Sequence, residues 1–277
     1  MKIKKHTVSI LSYTVLSIMA ALVLIPILWI VSTAVKTVPE TVTMPPRWIP
    51  EQITLESFGR LWTEYPFGIY FKNSLFIVLS SMLISVACSS LAGYGLTRFE
   101  FKGKSGLLMF VLVTQMFPQV MLLVPFYSLI GKLNLLDTHI GLILVYISFT
   151  VPFCTWMMLG FFKALPLELD EAARIDGCNS WKTFTKVIFP LTLPGIASTS
   201  MYAFISSWNE YMFAFILTSK PEMKTLSVGI AELNGFQQVR WNDMMAGALL
   251  ASVPLIILFV CMQKYFISGL TNGAVKS

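Results

Sequence analysis

The chain has 277 residues, of which 56% are hydrophobic and only 12% charged, with a formal net charge of +6 and a mean hydropathy of +0.73. An ordinary soluble domain carries about a quarter charged residues, so this composition excludes a water-soluble globular chain and points to a membrane protein. Of the four cysteines, Cys88, Cys154 and Cys261 fall in apolar runs and Cys178 in a segment expected to be cytoplasmic, so no disulfide framework is expected.

Crossing roughly 30 Å of hydrocarbon takes about 20 helical residues. Six apolar runs are long enough, near 10–34, 73–97, 105–130, 139–162, 191–217 and 244–268. The first follows the basic start "MKIKKH", and Ser32, Thr33 and Ala34 resemble a signal-peptidase site. A signal's apolar region has only about 7 to 15 residues, so a retained span is expected. Six spans put both termini on one side, where Lys and Arg are also in excess, and the positive-inside bias makes that side cytoplasmic. The loop from 35 to 72 holds "TMPPRWIP" and reads as an external spacer on the headgroups. Pro26, Pro118, Pro125, Pro152 and Pro254 should kink their helices. Gln115 and Gln119, four apart in the third run, should share a helix face about 15 and 21 Å deep. Amides there either line a wet cavity or bond a neighbouring helix. Glu210, flanked by Trp208 and Tyr211, is expected at the outer interface rather than in a proton relay. The second sizeable external loop covers 219–244, with a turn signal at Asn234 and Gly235. With no internal repeat, residues 1–277 read as a single membrane domain.

Several chemistries are missing. "GKS" at 103–105 lacks the phosphate-loop glycine five residues earlier, where Arg98 stands, so the chain is not expected to hydrolyse ATP. His6 and His139 lie at opposite membrane faces and no Cys/His cluster has metal-ligand spacing, so no metal is expected. No nucleophile pairs with a base, which speaks against an enzyme.

One polar stretch stands out, "EAARIDGCNSWKTFTKVIFPLTLPG" at 171–195. Pro166 suits a first helical position, with Glu168, Asp170 and Glu171 following at the positive end of the helix dipole. Gly177 suits a left-handed stop, Asn179 or Ser180 can cap a second helix, and Trp181, Phe184 and Ile188 form its apolar stripe. Bases Lys163, Arg174, Lys182 and Lys186 are matched by Glu168, Asp170, Glu171 and Asp176, which argues against nucleic-acid binding. The residues alone leave open a hairpin that tidies the surface and a knob for a groove on a soluble partner.

"EAARIDG", then nine residues and "VIFPLTLPG", resembles the EAA signature of permease subunits in binding-protein-dependent ABC importers. Val187 and Phe189 replace the isoleucine and leucine most frequent there, an apolar exchange. "LAGYGLTRFEFKGKSGL", "FPQVMLLVPFYSLIGKLNLLDTHIGLIL", "SWNEYMFAFILTS" and "GLTNGAVKS" extend the likeness to the carbohydrate branch, in particular its six-span maltose-type permeases. The resemblance implies an all-α membrane protein with the type I importer permease fold and a cytoplasmic coupling-helix hairpin between spans 4 and 5. It implies a multi-pass subunit of an ATP-driven sugar importer in a bacterial or archaeal cytoplasmic (inner) membrane, without cofactor. The implied partners are a second permease subunit, an ABC ATPase dimer, an extracytoplasmic solute-binding protein, a sugar and the surrounding membrane lipid. Glu171, Ala172, Ala173, Asp176 and Gly177 would then contact the ATPase. Gln115 and Gln119 are candidates for the cavity wall, Asn234, Gly235, Phe236 and Gln237 for binding-protein contact, and Gly273, Ala274, Val275 and Lys276 for a second ATPase contact. The alternatives are a glycerol-phosphate or polyol permease and a gradient-driven secondary transporter.

Overall fold

A computed structural model describes residues 2–233 and 239–274. It is built of helices, with no strand among the described residues. In chain order they are α1 (Lys2–Ala34), α2 (Glu56–Thr63), α3 (Phe67–Arg98), α4 (Lys104–Thr114), α5 (Leu123–Lys132), α6 (His139–Ala164) and α7 (Glu168–Ile175). There follow α8 (Ser180–Lys182), α9 (Phe189–Leu191), α10 (Leu193–Trp208), α11 (Met212–Leu217), α12 (Leu226–Glu232) and α13 (Trp241–Ala274). Short 3-10 turns occupy Pro39–Val42, Gln119–Leu122 and Pro221–Met223, and a π-turn occupies Thr183–Ile188.

Four segments are continuous helices apolar enough to span: Ser9–Ala34, Phe67–Arg98, His139–Ala164 and Trp241–Lys264. Two further apolar stretches are bent helix pairs, Lys104–Thr114 with Gln119–Lys132 at 97° and Ser180–Leu191 with Leu193–Trp208 at 78°. Counting each bent pair as one span gives six. The kink expected at Pro118 in the run 105–130 is a full break, and the run 191–217 is broken as well. Pro118, extended at φ −60° and ψ 125°, cannot continue a helix from α4. Pro190 and Pro194 bracket the second bend, and the run to 217 breaks again at 209–211. Gln115 caps the end of α4 while Gln119 opens the next turn, so the two do not share a helix face. Pro26, Pro152 and Pro254 stay inside continuous helices.

Two compact units emerge, Met1–Phe67 with Gly229–Val253, and Gly68–Val228 with Pro254–Ser277. In the first, the loop after α1 is more than a spacer. Lys36 is only 2% exposed; its ammonium sits 4.4 Å over the Trp29 ring and donates to the Arg47 carbonyl. Burial pushes the Lys36 pKa down against the opposing pull of Glu40. Trp48 packs edge-on against Trp29 with centroids 4.9 Å apart, and Asn242 Nδ2 donates to the Lys36 carbonyl at 3.1 Å. Nearby, Arg60 on α2 forks onto Asp243 of α13, with Nη2 to Oδ1 at 2.6 Å and Nε at 3.2 and 3.3 Å. Much of α1 keeps its apolar side chains outward, as at Ile10, Leu16 and Leu22.

In the second unit, α3 and α6 meet through small and polar residues. Ser81, Ser85 and Ser89 recur at four-residue spacing and are buried, and Ser85 Oγ bonds Thr150 Oγ1 at 2.6 Å. Such side chains let helices approach closely without relying on apolar burial, which lipid does not reward. One apolar core gathers Ile77, Leu142, Val145, Phe213 and Leu217; a second gathers Tyr94, Met158, Phe162, Phe184 and Ile188. Gly195 has no room for a Cβ because the Phe161 side chain lies against it.

Candidate functional site

The second core underlies the polar stretch 168–191. Its first helix, α7, carries Glu168, Asp170 and Glu171 in the first turn and Arg174 in the last, each favourable to the helix dipole. Leu167 occupies the N-cap, so Pro166 stands just outside the helix rather than at its first residue. At the other end, Gly177 N donates to Arg174 O at 3.0 Å and Cys178 N to Ala173 O at 2.9 Å, a Schellman closure. Gly177 takes the left-handed conformation this needs, φ +79°. Asn179 then caps the second helix, its Oδ1 accepting from Lys182 N at 2.9 Å.

Facing sorts the five ATPase-contact candidates. Glu171, Ala172, Asp176 and Gly177 are exposed, whereas Ala173 and Asp170 are buried and Leu169 is half-buried on the inner face. The outer face also carries Ile175, which is 86% exposed. In the second half of the hairpin the π-turn holds Phe184 and Ile188 inside, while Trp181 stays exposed with its ring 5.8 Å from Phe184. The stripe read at ordinary helical spacing therefore keeps two of its three members.

Sequence reading missed what fastens the inner face. Arg98, the last residue of α3, lies with its Nε 3.0 Å from Asp170 Oδ2, and the two side chains are 5% and 8% exposed. This contact is an ion pair without the alignment of a hydrogen bond. The other Asp170 oxygen accepts from Tyr94 OH at 3.0 Å, and Arg98 Nη2 donates to Leu165 O at 3.1 Å. Nothing local marks these partners.

A cavity of about 270 Å³ lies where the broken helices face α6, lined by Gln119, Tyr146, Ser206, Ser207, Asn209 and Glu210 among others. Gln119 reaches it; Gln115 is not part of its lining. Glu210 is not free. Its Oε1 accepts from Phe213 N at 2.8 Å, and its Oε2 from Ala214 N at 3.0 Å and Tyr146 OH at 2.9 Å. The carboxylate therefore serves the open backbone donors where the chain restarts as α11. Ser207 Oγ, on the wall, is buried without a hydrogen-bond partner, and among the described residues no Lys or Arg lines the cavity. No group of residues able to hold a metal ion occurs among the described residues. Asn234, Gly235, Phe236 and Gln237 lie outside the described residues, as do Val275 and Lys276, while Gly273 and Ala274 end α13.

The trehalose/maltose transport system permease protein MalG of Thermococcus litoralis is 37% identical over 262 residues, covering 94% of each chain. The diacetylchitobiose uptake system permease protein DasC of Streptomyces coelicolor is 33% identical, covering 91% of each. A bacterial ABC transporter that imports the acidic polysaccharide alginate contains a chain of the same fold, with TM-score 0.81, 24% identity, and 93% and 96% of the two chains covered. Residues 85–272 match the family described as the binding-protein-dependent transport system inner membrane component. Its members are transport components rather than enzymes. With two thirds of its length inside that match and full-length relatives above 30% identity, the chain belongs to this family of multi-pass inner-membrane transport subunits.

Proposed function

We propose that the chain is a permease subunit of an ATP-driven sugar importer, forming half of the pathway beside a second permease, with an ABC ATPase dimer docked on residues 168–191. The observation that carries this is the two-sided hairpin. Its inner face is fixed to α3 and α6 by an apolar core and a buried ion pair, while its outer face leaves Ile175 and Trp181 uncovered among charges. A helix that only tidied the surface would gain nothing from exposing them; a groove on a soluble partner would cover them. On that reading Glu171, Ala172, Asp176 and Gly177 meet the ATPase, and Ala173 sets the spacing from behind. The hairpin and both termini are cytoplasmic. The outward apolar residues of α1 fit the second permease subunit and lipid, and an extracytoplasmic binding protein delivers the cargo.

The sugar reading draws on the trehalose/maltose and diacetylchitobiose systems of the relatives. The cavity adds amides, hydroxyls, aromatic rings and the Glu210 carboxylate, with no cation among the described lining residues, which favours a neutral sugar over a phosphorylated cargo. The test is purification of the tagged chain from its own membranes, then reconstitution with its binding protein and ATP. Recovery of a second permease and an ATPase, with ATP-dependent uptake of a neutral oligosaccharide, is expected. Recovery of the chain alone, with uptake driven by an ion gradient, would overturn the reading.

A further inference from the structure

Asp170 and Glu171 are neighbours on α7 that face opposite ways, one into the protein and one out of it. A push on the outer face must leave through whatever the inner face holds. Part of that hold is apolar, Tyr94 and Phe162 against Phe184 and Ile188. Apolar contact is non-directional and lets surfaces slide. The remainder is held at named atoms. Arg98 pairs with Asp170 on α7 and bonds the Leu165 carbonyl at the end of α6, while Tyr94 holds the second Asp170 oxygen. Both charges are more than nine-tenths buried, and an apolar pair of equal volume would fasten the hairpin with less desolvation. What the charged pair adds is a fixed point of attachment, about which α7 can turn.

The helix that Arg98 ends is a rod of 32 residues, about 48 Å at 1.5 Å per residue. Its far end is also fastened. Asn73 Nδ2 donates to Glu222 O at 2.8 Å and Lys224 O at 3.0 Å, and Ser74 Oγ accepts from Leu226 N at 2.7 Å. A displacement entering at Arg98 therefore has a continuous hydrogen-bonded backbone to travel along and a defined segment to move.

We propose that Arg98, Asp170 and Tyr94 are positioning residues that pass displacement of α7 to α3, and through it to the segment around 222–226. The linkage rests on the reading that an ATPase docks on the hairpin, and it acts only as the two ends bias one two-state element. The test uses the complex purified with its ATPase, with Cys88, Cys154, Cys178 and Cys261 replaced by alanine and spin labels at Ile69→Cys and Leu133→Cys. In the unaltered linkage, adding ATP with vanadate shifts the label distance. Asp170→Asn keeps the ATPase bound and loses the shift; Arg98→Asp with Asp170→Arg restores it in part. Tyr94→Phe, which leaves the ring in its core, reduces the shift and gives the reading if Asp170→Asn falls apart. An unchanged shift in Asp170→Asn or Tyr94→Phe, or no ATP-dependent shift in the unaltered complex, would overturn the linkage. Failure of the unaltered chain to bring down an ATPase would instead overturn the docking reading.

Discussion

Two arginine–aspartate pairs hold distant parts of this chain, and they are built differently. Arg60 and Asp243 form a fork with three contacts between 2.6 and 3.3 Å. Ser57 lies 3.1 Å away, Glu56 3.4 Å, and Arg240 lies 3.7 Å from the same carboxylate. Arg98 and Asp170 share one unaligned 3.0 Å contact, while Tyr94 OH donates to the other Asp170 oxygen and Arg98 Nη2 donates to the Leu165 carbonyl. The first pair is over-determined and resists any change of angle; the second has one contact per direction and can pivot. A fork suits a fixed loop, and a pivot suits a segment that is moved.

The comparison breaks first at Asp243, which is 0% exposed. Asp243→Ala leaves the Arg60 guanidinium without its principal partner, and breaking a buried pair destabilises by about 3–5 kcal/mol. A clear fall in the thermal denaturation temperature of the detergent-purified chain is expected. The Asp243 hydrogen bond holds the Arg60 pKa above its ordinary value, so raising the pH does not reproduce this loss by deprotonation. An unaltered melting temperature would remove the fork from the stability account.

The hairpin gives the next effect. Nothing in this chain lies within 4 Å of a Cβ at Gly177, so within the chain the only penalty for a side chain is its left-handed backbone. That penalty is about 1–2 kcal/mol, with Asn tolerated best. Gly177→Val should weaken ATPase retention or uncouple hydrolysis from uptake, and Gly177→Asn should do so much less. Equal retention and uptake in both would show that the bend is not needed. The smallest effect is expected at the exposed Arg240–Glu64 pair, 3.0 Å apart with side chains 39% and 50% exposed. Glu64→Gln should move the melting temperature by less than the equivalent of about 1 kcal/mol, and a larger change would mean that the fork extends further than drawn.

Apolar run length was enough to read the spans, and local rules were enough to read Gly177 as a left-handed stop and Asn179 as a cap. The stop and the cap each depend on residues within about one helical turn. The breaks were harder to place. Gln115 and Gln119 have the right spacing for one face, but Pro118 between them ends the helix, and only Gln119 reaches the cavity. Glu210 could be recognised as unusual, yet its use as a cap for α11 depends on a helix break that its apolar neighbours hide. Ala173 belongs to the EAA signature, but its inward facing follows from the core beneath α7. Arg98 could be noted in the sequence as the residue that stands where a phosphate loop needs glycine, but not as the partner of Asp170, because that partner lies on another helix and no spacing rule joins them.

The central claim, that the outer face of residues 168–191 receives an ATPase, is tested most directly by a photo-cross-linking amino acid at Ile175 in native membranes. The account predicts an adduct with a soluble ATPase that disappears when the same group is placed at the inward Leu169. Adducts with lipid alone, or none at Ile175 in membranes where the chain is assembled, would contradict it.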